Sequence, residues 1–336
     1  MMVLITDPDG TNHRAGDHHP ESPARLTAVL RAADDPAVRD GITTVTPRAA
    51  TDDELLRVHA PELLAMLERV RGRSAQLDPD TAVSPESVDI ARRGAGSGLT
   101  ALESLDRGDA DAAFCVVRPP GHHATIERPM GFCLLNNIAV TAAALVARGE
   151  RVLIADFDAH HGNGTQDIFW DEPNVLFVSW HQSPLYPGSG AITEVGGEAA
   201  RGHTVNVPLV PDSTGDSYLE TLDRVVGSII TGFAPTWLLV SAGFDAHRDD
   251  PLTDMGLTSG DYAELTTALM QAVPPGRTIA FLEGGYALGA LQRSATATMG
   301  ALLGLRLHPE DPTSGGAGSG RLDTLVDAIA HAQDLR

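Results

Sequence analysis

Eight short apolar runs punctuate this 336-residue chain, at residues 3–6, 42–46, 113–117, 152–155, 175–179, 204–207, 237–241 and 278–282. Several are unbroken instead of alternating, the pattern of strands buried on both faces of a parallel sheet. Longer segments of helical character separate them. Ser22-Pro23 puts a capping residue and a first-turn proline ahead of residues 24–33, and Ser84-Pro85-Glu86 has the same form ahead of a segment reaching about Arg107. Residues 136–148 are alanine-rich, and residues 217–230 carry leucine, valine and isoleucine at helical spacing. This alternation predicts an α/β fold around a mostly parallel central sheet. Residues 1–307 read as one domain and residues 308–320 as a Gly/Ser/Pro-rich linker. In residues 321–336, Leu322, Leu325, Val326 and Ile329 share one face of an amphipathic helix, docked on the body or on a partner.

Composition narrows the function classes. A formal net charge of −21 argues against nucleic acid and anionic membrane as partners. All 24 basic residues are arginine, so the chain has no lysine side chain of its own to be acetylated. Cys115 and Cys133 stand in apolar runs and read as buried thiols, too few for a disulfide framework. No apolar stretch nears the roughly 18 residues of a membrane span. The first residues lack a basic region and turn polar too early for a signal peptide, so a cytoplasmic location is expected.

The chemistry sits just after the predicted strands, where α/β sheets bind ligands. Asp158 and His160 are separated by one residue, so an extended exit from a strand would turn both to one side. Alone, such a pair more often caps a helix. Asp245, after a later strand, can converge on them, and two carboxylates with one imidazole hold a divalent ion while leaving a position open. Zinc suits this set; ferrous iron or manganese would also accept it. His122 and His123 follow Arg118-Pro119-Pro120-Gly121, with Asp156 able to orient one ring and Asn163 the other. A carboxylate partner favours imidazolium and an amide does not, so the two rings can differ in charge, one serving as general base and one as electrostatic support. Gly284 and Gly285 precede Tyr286, whose phenol could swing over a pocket and donate to an oxyanion, worth roughly 3–4 kcal/mol. Other signals are weak. Gly94-Ala95-Gly96-Ser97-Gly98 reads as a close-packed helix face, and His59, His181, His203, His308 and His331 lack an evident partner.

In this order the motifs resemble the histone deacetylase superfamily, its class II and bacterial amidohydrolase members most closely. The segments are His19-Pro20-Glu21-Ser22-Pro23, Arg118 to His123, Gly131-Phe132-Cys133, Asp156 to Gln166, Ser241 to Asp245 and Glu283 to Tyr286, within roughly residues 13–305. Asn163, where class I members carry aspartate, points to class II. The resemblance implies an arginase/deacetylase-like fold, a single catalytic domain with a central eight-stranded parallel sheet. It implies zinc on Asp158, His160 and Asp245, with His123 as general base then acid, His122 as its electrostatic partner, and Tyr286 polarising the scissile carbonyl. Phe132 and Tyr186 match the channel walls, although phenylalanine is usual where Tyr186 stands. Gly131, Leu252, Gly284 and Gly285 line the same channel. A structural potassium ion would sit among Asp156, Asp158, His160 and Ser179, and Arg25 would line an internal path for acetate.

The expected reaction is hydrolysis of an N-acyl amide such as acetyl-lysine by metal-activated water, releasing acetate and amine. The partner is then a small-molecule or peptide acyl-amine, and a homo-oligomer is possible. Acetylated polyamines or secondary-metabolite amides are the alternative; polyamine-selective relatives carry an acidic residue where this chain has Leu252. A binding module without turnover would be expected to lack the tyrosine or a metal ligand, and both are present.

Overall fold

The computed structural model describes residues 1–335. Its strands are β1 (Met2–Thr6), β2 (Ile42–Val45), β3 (Ala75–Asp78), β4 (Thr81–Val83), β5 (Ala112–Val116), β6 (Val152–Asp156), β7 (Val175–Gln182), β8 (Thr204–Leu209), β9 (Trp237–Ala242) and β10 (Thr278–Leu282). Eight of them form one sheet in the order β2-β1-β5-β10-β9-β6-β7-β8, with all neighbours parallel. Each predicted run is one of these strands. The central strands β5, β6, β9 and β10 are buried along their whole length, which is why their sequences need no polar alternation.

The helices are α1 (Pro23–Ala33), α2 (Asp52–Leu55), α3 (Pro61–Val70), α4 (Ser87–Asp106), α5 (Asn137–Val146), α6 (Asn163–Ile168), α7 (Gly215–Thr221), α8 (Gly227–Phe233), α9 (Ser259–Met270), α10 (Leu288–Leu302) and α11 (Leu322–Ala332). Successive strand residues point to opposite faces, so the sheet divides two cores. Phe114 and Val240 join Leu26, Leu265, Leu291 and Ile329 on one face. Cys115 and Ile154 join Leu63, Leu99 and Ile138 on the other. Both cysteines are free and buried. The small-residue run of α4 does permit close packing: a side chain at Gly98 would meet Thr141 and Phe281, and one at Gly96 would meet the Arg48 carbonyl.

Several local expectations differ. The helix expected behind Ser84 starts at Ser87, with Glu86 at its cap; the Ser84 hydroxyl instead donates to the Asn12 carbonyl. Residues 217–230 are helical but not uniform, because a π turn at Leu222–Val226 joins α7 to α8. The antiparallel β3–β4 hairpin was not anticipated. Residues 308–320 are tied to the body: Thr313 donates to Asp261 and the Gly315 amide to Asp216, at 2.7 and 2.8 Å. Helix α11 lies against β8 and α7. Among the described residues, no helix is long and apolar enough to cross a membrane.

Candidate active site

Strands β5, β10, β9 and β6 are consecutive in the sheet, and their carboxyl ends bring the singled-out residues together. The exit from β6 is a bend, not the extended run expected. The Asp156 carboxylate accepts the Asp158 amide at 3.1 Å, and Asp158 Oδ1 accepts the His160 amide at 2.9 Å. These side-chain-to-backbone bonds, not strand alternation, aim Asp158 and His160 together. Asp245 arrives from β9, and its Oδ1 accepts the Ala159 amide at 2.8 Å.

His160 Nδ1 then stands 3.1 Å from Asp158 Oδ1 and 3.0 Å from Asp245 Oδ2. The three donor atoms lie within 4.8 Å of one another. Both carboxylates are buried, and burial followed by the neighbouring Asp158 charge raises the Asp245 carboxyl above its usual range. Two desolvated carboxylates beside each other call for a cation. Gly284 keeps the space open, since a Cβ there would come within 2.1 Å of Asp245 Oδ2 and 2.6 Å of Asp158 Oδ2. Its amide also donates to Asp158 Oδ2 at 2.8 Å. The donor set therefore fits a divalent metal. His247, Asp249 and Glu310 also cluster, but Arg293 Nη2 already meets Asp249 and Glu310 at 3.1 and 3.4 Å. That group is an ion-pair network.

The histidine pair is oriented as its two candidate partners allow. His122 Nδ1 lies 3.0 Å from Asp156 Oδ2, and His123 Nδ1 lies 2.7 Å from Asn163 Oδ1. Burial disfavours the His122 imidazolium, yet Asp158 and Asp156 outweigh it and hold its pKa up at about 10. Burial and then the His122 charge push His123 well below the usual imidazole range. Asn163 Oδ1 accepts a hydrogen bond from the protonated Nδ1 of neutral His123, so the free lone pair is on Nε2. One ring is thus held cationic and its neighbour neutral, 4.0 Å apart between centroids.

A cavity of about 200 Å³ leads to these groups, with Phe132, Tyr186, Leu252, Gly131, Gly284 and Tyr286 in its walls. Gly131 is required by contact: a Cβ would fall 2.4 Å from the His123 ring. Phe132 itself takes φ 68°, a left-handed conformation that non-glycine residues seldom adopt. Tyr186 stands edge-on to His123 at 5.2 Å, and Tyr286 edge-on to Phe132 at 5.9 Å. Arg25 lies buried behind Tyr286, its guanidinium 5.0 Å from the ring and its Nε donating to the Gly285 carbonyl at 2.7 Å. Ser179 is the register partner of Asp156, and its hydroxyl meets His181 Nδ1 at 3.0 Å.

Sequence reasoning passed over other residues here. Asp80, from the β3–β4 turn, lines the cavity, with Oδ1 accepting the Gly131 amide at 3.1 Å. Its turn signal, Asp78-Pro79-Asp80, was readable. Asp250 accepts the amides of Tyr286 and Leu252 at 2.6 and 3.0 Å, tying the tyrosine to the channel wall. The histidines read as lacking an evident partner do have partners in the fold, His203 among them with its ring 5.2 Å from that of Phe233. His59 meets the Thr125 carbonyl and the Asn136 amide, His181 the Gly190 carbonyl, and His308 the Glu264 carboxylate.

Comparison with known proteins agrees with this geometry. The profile of the histone deacetylase domain matches residues 19–302. A probable deacetylase of Archaeoglobus fulgidus is 36% identical over 302 residues, 88% of this chain and 84% of that one. A histone deacetylase-like amidohydrolase of Pseudomonas aeruginosa is 35% identical over 88% of this chain and 79% of its own length. The crystal structure of the HDA15 HD domain superposes with a TM-score of 0.89 at 34% identity, covering 98% of this chain and 94% of that one. By this match over most of its length, the chain belongs to the histone deacetylase family.

Proposed function

We propose that this chain is a zinc-dependent deacetylase that hydrolyses the N-acyl amide of a linear primary amine, acetyl-lysine foremost. The observation that carries the reading is the meeting of Asp158, His160 and Asp245 with His122, His123 and Tyr286 at the end of one narrow cavity. Asp158, His160 and Asp245 would hold the ion, which when bound supplies Lewis acidity and makes hydroxide accessible near neutral pH. His123 Nε2 takes the proton of the attacking water and returns it to the departing amine nitrogen. His122, kept cationic by Asp158 and Asp156, steadies negative charge gathering at the reacting carbon's oxygens. Tyr286 Oη donates to the carbonyl oxygen as it becomes an oxyanion. Phe132, Tyr186 and Leu252 enclose the methylene stem and exclude water. A potassium ion near Asp156 and Ser179 belongs to the same reading, as a structural ion.

Asp80 on the cavity wall favours a second substrate class, an N-acetylated diamine whose distal ammonium would meet that carboxylate. The test is kcat/KM of the zinc-loaded protein on an acetyl-lysine peptide and on an N-acetyl diamine. A tenfold preference for the peptide, about 1.4 kcal/mol in transition-state binding, supports the first reading. The reverse preference supports the second. Turnover of neither, with metal bound, removes both.

A further inference from the structure

Glu283 is a fully buried carboxylate that the proposed chemistry leaves unused. It sits just past the end of β10, which lies between β5 and β9 in the sheet. From there it reaches both neighbouring exits. Its Oε2 accepts the amides of Gly121 and His122 at 2.7 and 3.1 Å, and its Oε1 receives the Ser241 hydroxyl at 3.4 Å. Its own backbone is fixed as well: the amide donates to the Ala242 carbonyl at 3.1 Å, and the carbonyl accepts from buried Arg25. A rigid acceptor thus grips the turn from which both histidine rings project.

We propose that Glu283 is a positioning residue for the histidine pair: its carboxylate pins the Gly121-His122 turn and so sets where His122 and His123 stand relative to Asp158 and Tyr286. Two successive backbone amides held on one carboxyl oxygen fix the turn at two points, which suits a turn that must not drift. The side-chain bonds to Asp156 and Asn163 orient the rings about their own axes. Glu283 instead locates the backbone they hang from. A displacement of about 1 Å at such a point can cost about 100-fold in rate.

The inference rests on the reading of the pair as the acid–base machinery, so its test carries a readout apart from turnover. Glu283→Met keeps the volume and removes the acceptor; Glu283→Gln keeps an oxygen for both amides. On an acetyl-lysine peptide, Glu283→Met is expected to lose about 100-fold in kcat with KM within about threefold. Its metal content should be unchanged and its His122 and His123 ring resonances displaced. Glu283→Gln should hold kcat within about tenfold of the parent, with both rings in place. Equal kcat and unmoved rings in Glu283→Met would overturn the proposal, as would a Glu283→Gln as impaired as Glu283→Met. Should Glu283→Met not fold, Glu283→Leu repeats the removal of the acceptor: displaced rings support the proposal and unmoved rings overturn it. If the parent turns over no acyl-amine, the functional reading fails, and the ring resonances of the variants still decide the role of Glu283.

Discussion

The floor and the mouth of the cavity are built by different means. At the floor, Asp158, Asp245, Asp156 and Glu283 are 0% exposed, and each has at least one oxygen gripped by a backbone amide. At the mouth, Tyr186 is 38% exposed, and Asp80, Tyr186 and Leu252 come from three separate loops. Groups fixed by the sheet cannot shift without breaking it, whereas loop residues can change with little effect on the core. Under the proposed function, the contrast assigns the reaction to the strand ends and substrate choice to the loops.

Attacking the floor should have the largest effect. Asp245→Ala removes a proposed metal ligand and a tie to the Ala159 amide. Metal analysis should find the ion lost from the purified protein, and turnover should fall to background. Tyr286→Phe leaves the donor set intact and should lower kcat by about 100- to 1,000-fold with full metal content, as expected for loss of one oxyanion donor. An unchanged kcat would dissociate the phenol from the chemistry.

Changes at the mouth should alter preference instead of competence. Leu252→Glu is expected to move the kcat/KM ratio about tenfold toward an N-acetyl diamine, about 1.4 kcal/mol, while metal content stays full. A collapse of turnover on both substrates would erase the distinction between floor and mouth.

The smallest effect concerns the anchoring of the mouth loop. His161 meets Ser189 at 2.8 Å and His181 meets the Gly190 carbonyl at 3.1 Å. Burial pushes these imidazoles down to about 4 and about 3. Because the folded values lie below the unfolded one, the stability they confer is complete above about pH 6.5 and drains away as pH falls toward the folded values. These two imidazoles should together contribute on the order of 1 kcal/mol less stability at pH 6 than at pH 7, a share read from the pH slope of denaturant unfolding in the parent against a His181 variant. His181→Asn should flatten that slope, and an unaltered slope would remove His181 as a source.

How much of this was legible follows the same division. The eight sheet strands were readable because burial on both faces leaves continuous apolar runs. The β3–β4 hairpin was not, since its strands are only four and three residues long: Ala75-Gln76-Leu77-Asp78 alternates, but over too short a run to stand out. Asp158, His160, Asp245 and the histidine pair stood out because their side-chain chemistry is unusual just after a strand. Asp250 and the grip of Glu283 on the turn did not, because their partners are backbone amides, and every residue but proline has one. Ser84 misled for a related reason: its hydroxyl had another carbonyl within reach once the chain folded.

The adjacency of β5, β10, β9 and β6 also has a consequence for how the protein comes into being. Glu283 and Gly121 touch across 162 positions of chain, and Gly284 and Asp158 across 126. Such distant parallel pairings form late, because loop closure must precede any gain from contact. An emerging chain therefore holds no working centre until β10 has threaded between β5 and β9. Catalytic competence should be the last property to return on refolding, behind helix content and compaction.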